Sequence, residues 1–387
     1  MKKITALLLA LLVLVGVIGG CGKQNDDYAD RTGKAGKTDK LKVVTTIFPE
    51  YDWVREILGN KVDNAEITML LDNGVDLHSY QPTADDIVRI SECDLFIYVG
   101  GESDSWVKDA LKNATNKDMK VINLLDVLGD SVKTEEIVEG MQETEHDHKH
   151  NHDHDDDYDD DHEHDYDHDD NHEHDYDHDD DHDHDHDHDD EHDHDHDHDD
   201  ADEKHVHEEE KDEHVWLSLK NAKTLVGAIS NALQELDPDN KDTYAANSDA
   251  YVKKLATLDA YYQAAVDDAT YKTVLFGDRF PFRYLVDDYG LSYYAAFAGC
   301  SAESEASFET ISFLAKKVDE LNLPCVLTIE GKEHKIAETI VENTTEKNRK
   351  ILTMDSMQST TSQDIKDGTT YLSVMEKNRS VLKEALG

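Results

Sequence analysis

Between His146 and His214 the chain carries 22 of its 24 histidines, nearly all separated by Asp or Glu. Neutral imidazole is the commonest protein ligand for borderline metals such as Zn²⁺, and a run this rich in imidazole and carboxylate oxygen reads most simply as a metal chelator. Four near-copies of a ten-residue unit, DHEHDYDHDD, NHEHDYDHDD, DHDHDHDHDD and EHDHDHDHDD, follow one another over residues 161–200, which points to duplication by slippage and not to a folded repeat. Almost no apolar residue lies between Asn151 and Ala201. Nothing there offsets the entropy of ordering the chain, so a disordered loop of ligands is expected over about 142–213. An acidic solubilising linker would account for the charge, but has no use for imidazole at every second position.

The elements that must hold any more specific site lie on either side of this tract. At 387 residues the chain is long enough for two domains of ordinary size. Residues 141–213 hold 39 acidic and 3 basic side chains and so carry −36 of the formal charge of −51, leaving the rest only moderately acidic. No basic patch is present, so metal cations are expected partners and nucleic acid is not. Residues 1–20 read as a secretory signal: two lysines, an apolar run from Ile4 to Ile18, then small residues ahead of Cys21. That run is shorter than the ~20 residues a spanning helix needs.

Three further cysteines remain, Cys93, Cys300 and Cys325, and no C-x-x-C spacing exists, so a cysteine zinc site is not expected. Cys93 opens the apolar run CDLFIYVG and reads as a buried strand residue. An exported setting permits a disulfide between Cys300 and Cys325.

From residue 41 onward β-branched apolar runs alternate with helical patterns. LKVVTTIF (41–48), EITMLL (66–71), DLFIYVG (94–100) and KVINLL (120–125) read as strands, with helices between them and a closing helix from about Trp216 to Leu236. From about Asp239 to Ala269 runs a stretch without Gly or Pro, one helix of roughly 45 Å at ~1.5 Å per residue, expected to be a connecting spine and not a core element. The alternation then resumes with TVLFG (273–277), LSYYAAF (291–297), CVLTIE (325–330) and KILTM (350–354), and ends in a helix from about Thr369 to Leu386. The expected fold is α/β: an N-terminal lobe over 41–238 interrupted by the tract, a linking helix over 239–270, and a C-terminal lobe over 271–387, each with a mainly parallel sheet.

In such sheets ligands bind beyond the carboxyl ends of the strands. Metal-capable side chains expected there are His78 after EITMLL, Asp278 after TVLFG, Asp355 after KILTM, and His214 at the end of the tract. Two candidates come from each lobe, and four N/O donors would suit Zn²⁺ or Mn²⁺ held between the lobes.

These residues stand in motifs. DLHSYQPT (76–83), DEHVWLS (212–218), and Asp355-Ser356-Met357 followed by YLSVMEKN (371–378) resemble the substrate-binding lipoproteins of bacterial zinc and manganese ABC importers, whose motifs run roughly D-P-H-x-Y-x-P-T, D-P-H-x-W-L-S, D-S and Y-x-x-x-M-x-x-N. The resemblance covers the chain from about Leu41. It implies two α/β lobes joined by one long helix with the metal in the cleft, His78 and His214 as ligands from the first lobe, and Asp355 as a carboxylate ligand from the second. A His-rich loop before the second ligand histidine is characteristic of the zinc-binding members. Ile18-Gly19-Gly20-Cys21 resembles the bacterial lipobox, which implies lipidation at Cys21, a tether over 21–40 and residence on the outer face of the cytoplasmic membrane.

One position departs from the pattern. Where the family has His or Glu in H-x-x-F-x-Y followed by Y-G-L, counting back from Gly290 places Arg279, a cation that binds no metal. Asp278 or a tract histidine would then supply the missing donor. The function implied is capture of Zn²⁺ for delivery to a membrane permease by a monomeric binding protein and not an enzyme, with no H-E-x-x-H or comparable pairing present. Mn²⁺ as cargo and a surface metal store or adhesin are the alternatives; the tract's imidazoles favour zinc.

Overall fold

A computed structural model describes residues 40–142, 210–301, 305–331 and 333–387. The expected signal segment, the Cys21 anchor, residues 21–39 of the tether and residues 143–209 of the His/Asp tract lie outside the described residues; the expected loop end over 210–213 is instead held by backbone hydrogen bonds, Glu135 N–H donating to the Glu210 carbonyl (2.8 Å) and Asp212 N–H to the Lys133 carbonyl (2.9 Å).

The first lobe holds strands β1 (Leu41–Thr45), β2 (Ala65–Met69), β3 (Leu95–Tyr98) and β4 (Lys120–Asn123), with helices α1 (Phe48–Leu58), α2 (Ala84–Glu92), α3 (Val107–Lys112) and α4 (Leu124–Leu128) between and after them. Helix α5 (Leu219–Leu236) closes this lobe, and α6 (Lys241–Asp267) leads to the second. There strands β5 (Thr273–Phe280), β6 (Ser292–Ala298), β7 (Cys325–Thr328) and β8 (Lys350–Thr353) alternate with α7 (Arg283–Tyr289), α8 (Phe308–Glu320), α9 (Lys335–Asn343), α10 (Ser362–Lys366) and the last helix α11 (Tyr371–Leu386). Both sheets are parallel and four-stranded, in the orders β2-β1-β3-β4 and β6-β5-β7-β8. The second lobe repeats the first in topology, and the fold is the one expected. Strand order reverses between β1 and β3 and between β5 and β7, which puts a ligand-binding crevice at the carboxyl edge of each sheet.

Local chemistry explains the entry to α1. Pro49 sits in its first turn, where a missing N–H is harmless, and the buried Glu50 carboxylate reaches back to accept from the N–H groups of Thr46 (2.8 Å) and Ile47 (3.3 Å). Gly59 ends the helix with φ +53°, and a Cβ there would meet the Asn247 side chain at 2.6 Å.

Two expectations are revised. Helix α6 does bridge the lobes, about 40 Å long at ~1.5 Å per residue, but one side of it is core: Tyr244, Tyr251, Leu255, Leu258 and Tyr262 are buried against the neighbouring helices α1, α5 and α11. Strand β5 does not stop at Gly277 but continues to Phe280 through a register shift between Phe276 and Arg279. The shift is a bulge, and it places Asp278 within the strand and not after it.

The lobes are fastened behind the cleft by buried aromatic side chains. The Trp216 indole donates to the Ser356 carbonyl (2.9 Å), and Tyr371 donates from its hydroxyl to the Trp216 carbonyl (2.6 Å) and from its backbone N–H to Asp52 (2.9 Å). Trp216 is fully buried beside the His214 ring, where it serves packing.

Candidate metal centre

His78 lies in the 3₁₀ turn Leu77–Ser79, beyond the carboxyl end of β2. Asp76 caps that turn, accepting from the His78 N–H at 3.0 Å, while Tyr80 and Thr83 both donate to Asp86 in the first turn of α2 (2.9 and 2.7 Å). The spacing D-x-H-x-Y-x-P-T is therefore the wiring of one loop onto one helix. His214 precedes the 3₁₀ turn Val215–Leu217 that enters α5, and it is fully buried with Asp212 and Glu213.

The two imidazoles face each other, with their Nε2 atoms 3.1 Å apart. Behind His214, Asp212 accepts from the backbone N–H (2.8 Å) and from Nδ1 (2.9 Å); behind His78, Nδ1 meets Ser103 Oγ (2.8 Å) and the Glu213 carboxylate (3.5 Å). An ionised carboxylate only accepts, so the hydrogen-bond network assigns the His214 proton to Nδ1 and leaves the Nε2 lone pair aimed at His78. In the metal-free pair an N–H of His78 can bridge this distance to the His214 lone pair, and a metal ion would take that proton's place between the two nitrogens. Two nitrogens on one tetrahedral zinc at the usual ~2.0–2.1 Å stand about 3.3–3.4 Å apart, close to the spacing found.

A third donor joins them from the second lobe. Ligand atoms of His78, His214 and Cys300 all lie within 4.8 Å of one another. Cys300 follows β6 by way of Gly299, where a Cβ would stand 3.1 Å from the His214 ring and 2.8 Å from the Phe280 carbonyl, so only glycine lets the strand end come this close. The Cys300 N–H donates to Glu135 (2.7 Å). Cys300 and Cys325 are both free, and the disulfide that an exported setting permits is not formed. The lone-cysteine pattern gave no sign of this placement, although Cys300 lies, as His78 does, just beyond the carboxyl end of a strand.

The surroundings are acidic. Burial pushes the Cys300 thiol well above its ordinary range, helped by Glu135, Asp212 and Glu213. Burial and the neighbouring imidazole push His78 down to about 3, whereas for His214 the opposing effect of burial is outweighed by Asp212 and Glu213, which raise it. Glu213 Oε2 is buried and, among the described residues, accepts no hydrogen bond; His78 Nδ1 stands 3.5 Å from it. Burial thus keeps the His78 imidazole neutral, the form that ligation requires.

The family model described as zinc-uptake complex component A, periplasmic (ZnuA), matches residues 43–385. The chain belongs to the ZnuA family. It is 28% identical over 384 residues to the zinc-binding lipoprotein AdcA of Streptococcus pneumoniae R6, covering 99% of this chain and 61% of that protein. It is 27% identical over 370 residues to the high-affinity zinc uptake system protein ZnuA of Bacillus subtilis strain 168, covering 96% and 94%. The chain thus spans about 61% of the length of the AdcA relative. The Zn(II)-bound ZnuA-like domain of S. pneumoniae AdcA superposes with a TM-score of 0.59 at 25% identity, covering 90% of this chain and 99% of that one. The lipoprotein YcdH of B. subtilis superposes with a TM-score of 0.61 at 24% identity over 90% and 99%.

Within this ZnuA-family cleft the other two expected donors are placed differently. Asp278 lines a cavity of about 570 Å³ together with Asp76, His78, Arg279, Glu333 and His334, but its carboxylate accepts from the N–H groups of Arg279 (2.9 Å) and Ile329 (3.3 Å). Asp355 accepts from the Met357 N–H (2.8 Å), and Asn378 clamps its backbone at both ends, accepting from the N–H (2.8 Å) and donating to the carbonyl (2.7 Å). That clamp is the physical content of the late Y-x-x-x-M-x-x-N motif. Among the described residues, neither aspartate joins a group of three such donors with the histidines. Arg279 does not pair with Asp278 through its side chain; it reaches across to Asp76 (2.7 Å). His334 is half-buried on the cavity wall.

Asp212 backs the candidate ligand His214 through Nδ1 (2.9 Å), and removing partners behind a metal ligand typically lowers metal affinity ~10–100-fold. Asp212→Asn should do so here while one ion per chain can still be loaded, as read by competition with a chromogenic zinc chelator in the variant lacking residues 143–209.

Proposed function

We propose that this chain is the metal-capturing component of an ABC importer, a monomeric binding protein and not an enzyme, which takes up Zn²⁺ outside the cytoplasmic membrane and delivers it to a membrane permease. It is tethered there through lipidated Cys21. His78 and His214 hold the ion, and the second lobe supplies the remaining donors, for which the sequence names Asp278 and Asp355. The observation that carries this is the Nε2 pair at 3.1 Å on the floor of the cleft, each imidazole backed by a carboxylate. Membership of the ZnuA family supports the transport role, and the name of the AdcA relative supports the lipid anchor.

Zinc is favoured over manganese because imidazole donors bind Zn²⁺ more tightly in the order of divalent affinities. A pure metal store would need the tract but not two lobes with facing ligands. The variant lacking residues 143–209 is expected to keep one zinc per chain during dialysis against excess Mn²⁺. Exchange of that ion for manganese would overturn the zinc assignment, and failure to bind either metal would overturn the importer reading.

A further inference from the structure

We infer that Cys300 is a thiolate ligand to the captured ion, so that the second lobe closes the site with sulfur in the place the sequence assigns to Asp278. The inference rests on the zinc-capture reading and deepens it, because a His₂Cys set is softer than one of imidazoles and carboxylates. Soft thiolate selects zinc and disfavours Mn²⁺. The metal preference of the protein then lies in the cleft and does not depend on the tract.

Three independent features converge on this sulfur. It is the only second-lobe donor that, among the described residues, shares the 4.8 Å group with His78 and His214. Its backbone is fixed from two sides, by Glu135 at its N–H and by Gly299, whose missing side chain lets the strand end rest on the His214 ring. It is a free thiol, so nothing covalent withholds it. On ligation the S–H bond breaks, an S–Zn bond forms, and the proton leaves to solvent; no oxidant or reductant is involved.

The same inference gives Arg279 a task. Its guanidinium stands at the family's usual ligand position, where it donates to Asp76 Oδ2 (2.7 Å) and to the Ser301 carbonyl (3.4 Å). Asp76 caps the turn that carries His78, and Ser301 adjoins Cys300. Where the family pattern has a ligand this chain has a brace between the two loops, and the donor comes from the neighbouring loop. Arg279 is a positioning residue.

Cobalt substitution tests the sulfur directly, because a thiolate bound to Co²⁺ gives a charge-transfer absorption in the near ultraviolet that imidazole and carboxylate do not. The full-length chain should show this band as its first, tightest equivalent of Co²⁺ binds. Cys300→Ser and Cys300→Ala should lose it, while Cys21→Ser and Cys325→Ser keep it. Both Cys300 variants should also weaken zinc by more than the ~10–100-fold seen for partners behind a ligand and narrow the preference over Mn²⁺. A tight ion without the band, or a band that survives in Cys300→Ser, would overturn the thiolate ligand and leave the zinc-capture reading standing. The absence of a tight ion sensitive to His78→Ala would instead overturn zinc capture itself.

Discussion

Replacing either cleft histidine is expected to abolish stoichiometric retention of zinc by the variant lacking residues 143–209. His78→Ala takes away one of the two imidazoles whose Nε2 atoms stand 3.1 Å apart, and the donors that remain do not enclose a tetrahedral ion. His214→Ala removes the other and also leaves Asp212, 1% exposed, without the imidazole it holds at 2.9 Å. Asp212 keeps the backbone N–H of residue 214 but loses the Nδ1 hydrogen bond, and a lost hydrogen bond to a buried carboxylate costs about 1–3 kcal/mol, so His214→Ala should lower the melting temperature more than His78→Ala does. Metal analysis after gel filtration reads the first effect and calorimetry the second. One zinc per chain retained by both variants would place the site elsewhere.

Deleting residues 143–209 should remove several zinc ions per chain at neutral pH and leave the tight one. Those residues contain 21 histidines among carboxylates. Imidazole starts from a pKa of ~6.5, and surrounding negative charge favours the protonated form. Ligation needs the neutral ring, so as pH falls through this range protons displace metal from the tract first. The cleft, with fewer titrating groups and fixed geometry, should hold its ion longer. The intact chain titrated at neutral and mildly acidic pH should lose its extra zinc between the two conditions. Equal stoichiometry for the intact and deleted chains at neutral pH would return the tract to the role of an acidic linker.

The parallel sheets were legible because strands buried on both faces must be continuous apolar runs, and VVT, LFIY and CVLT are such runs between helical patterns. The end of β5 was not legible, since Gly277-Asp278-Arg279 has the composition of a turn. Its glycine serves packing instead: a Cβ there would stand 2.6 Å from Ala337 Cα. The buried side of α6 was readable in the spacing of Tyr244, Tyr251, Leu255, Leu258 and Tyr262, but tyrosine and alanine on its other faces masked the stripe.

At the site, His78 and His214 were found through the motifs around them, and those motifs prove to be local wiring: a capped turn, a helix N-cap, a carboxylate behind an imidazole. Cys300 has no such signature. A lone cysteine in AAFAGC looks like core, and its nearness to two histidines 222 and 86 residues earlier in the chain exists only after the lobes have folded together.

The location of zinc in crystals of the loaded chain, read from anomalous scattering at the zinc absorption edge, tests the central claim most directly. A strong peak in the cleft is predicted at about 2.0–2.3 Å from His78 Nε2, His214 Nε2 and Cys300 Sγ. A strong peak remote from both imidazoles, with none between them, would contradict it.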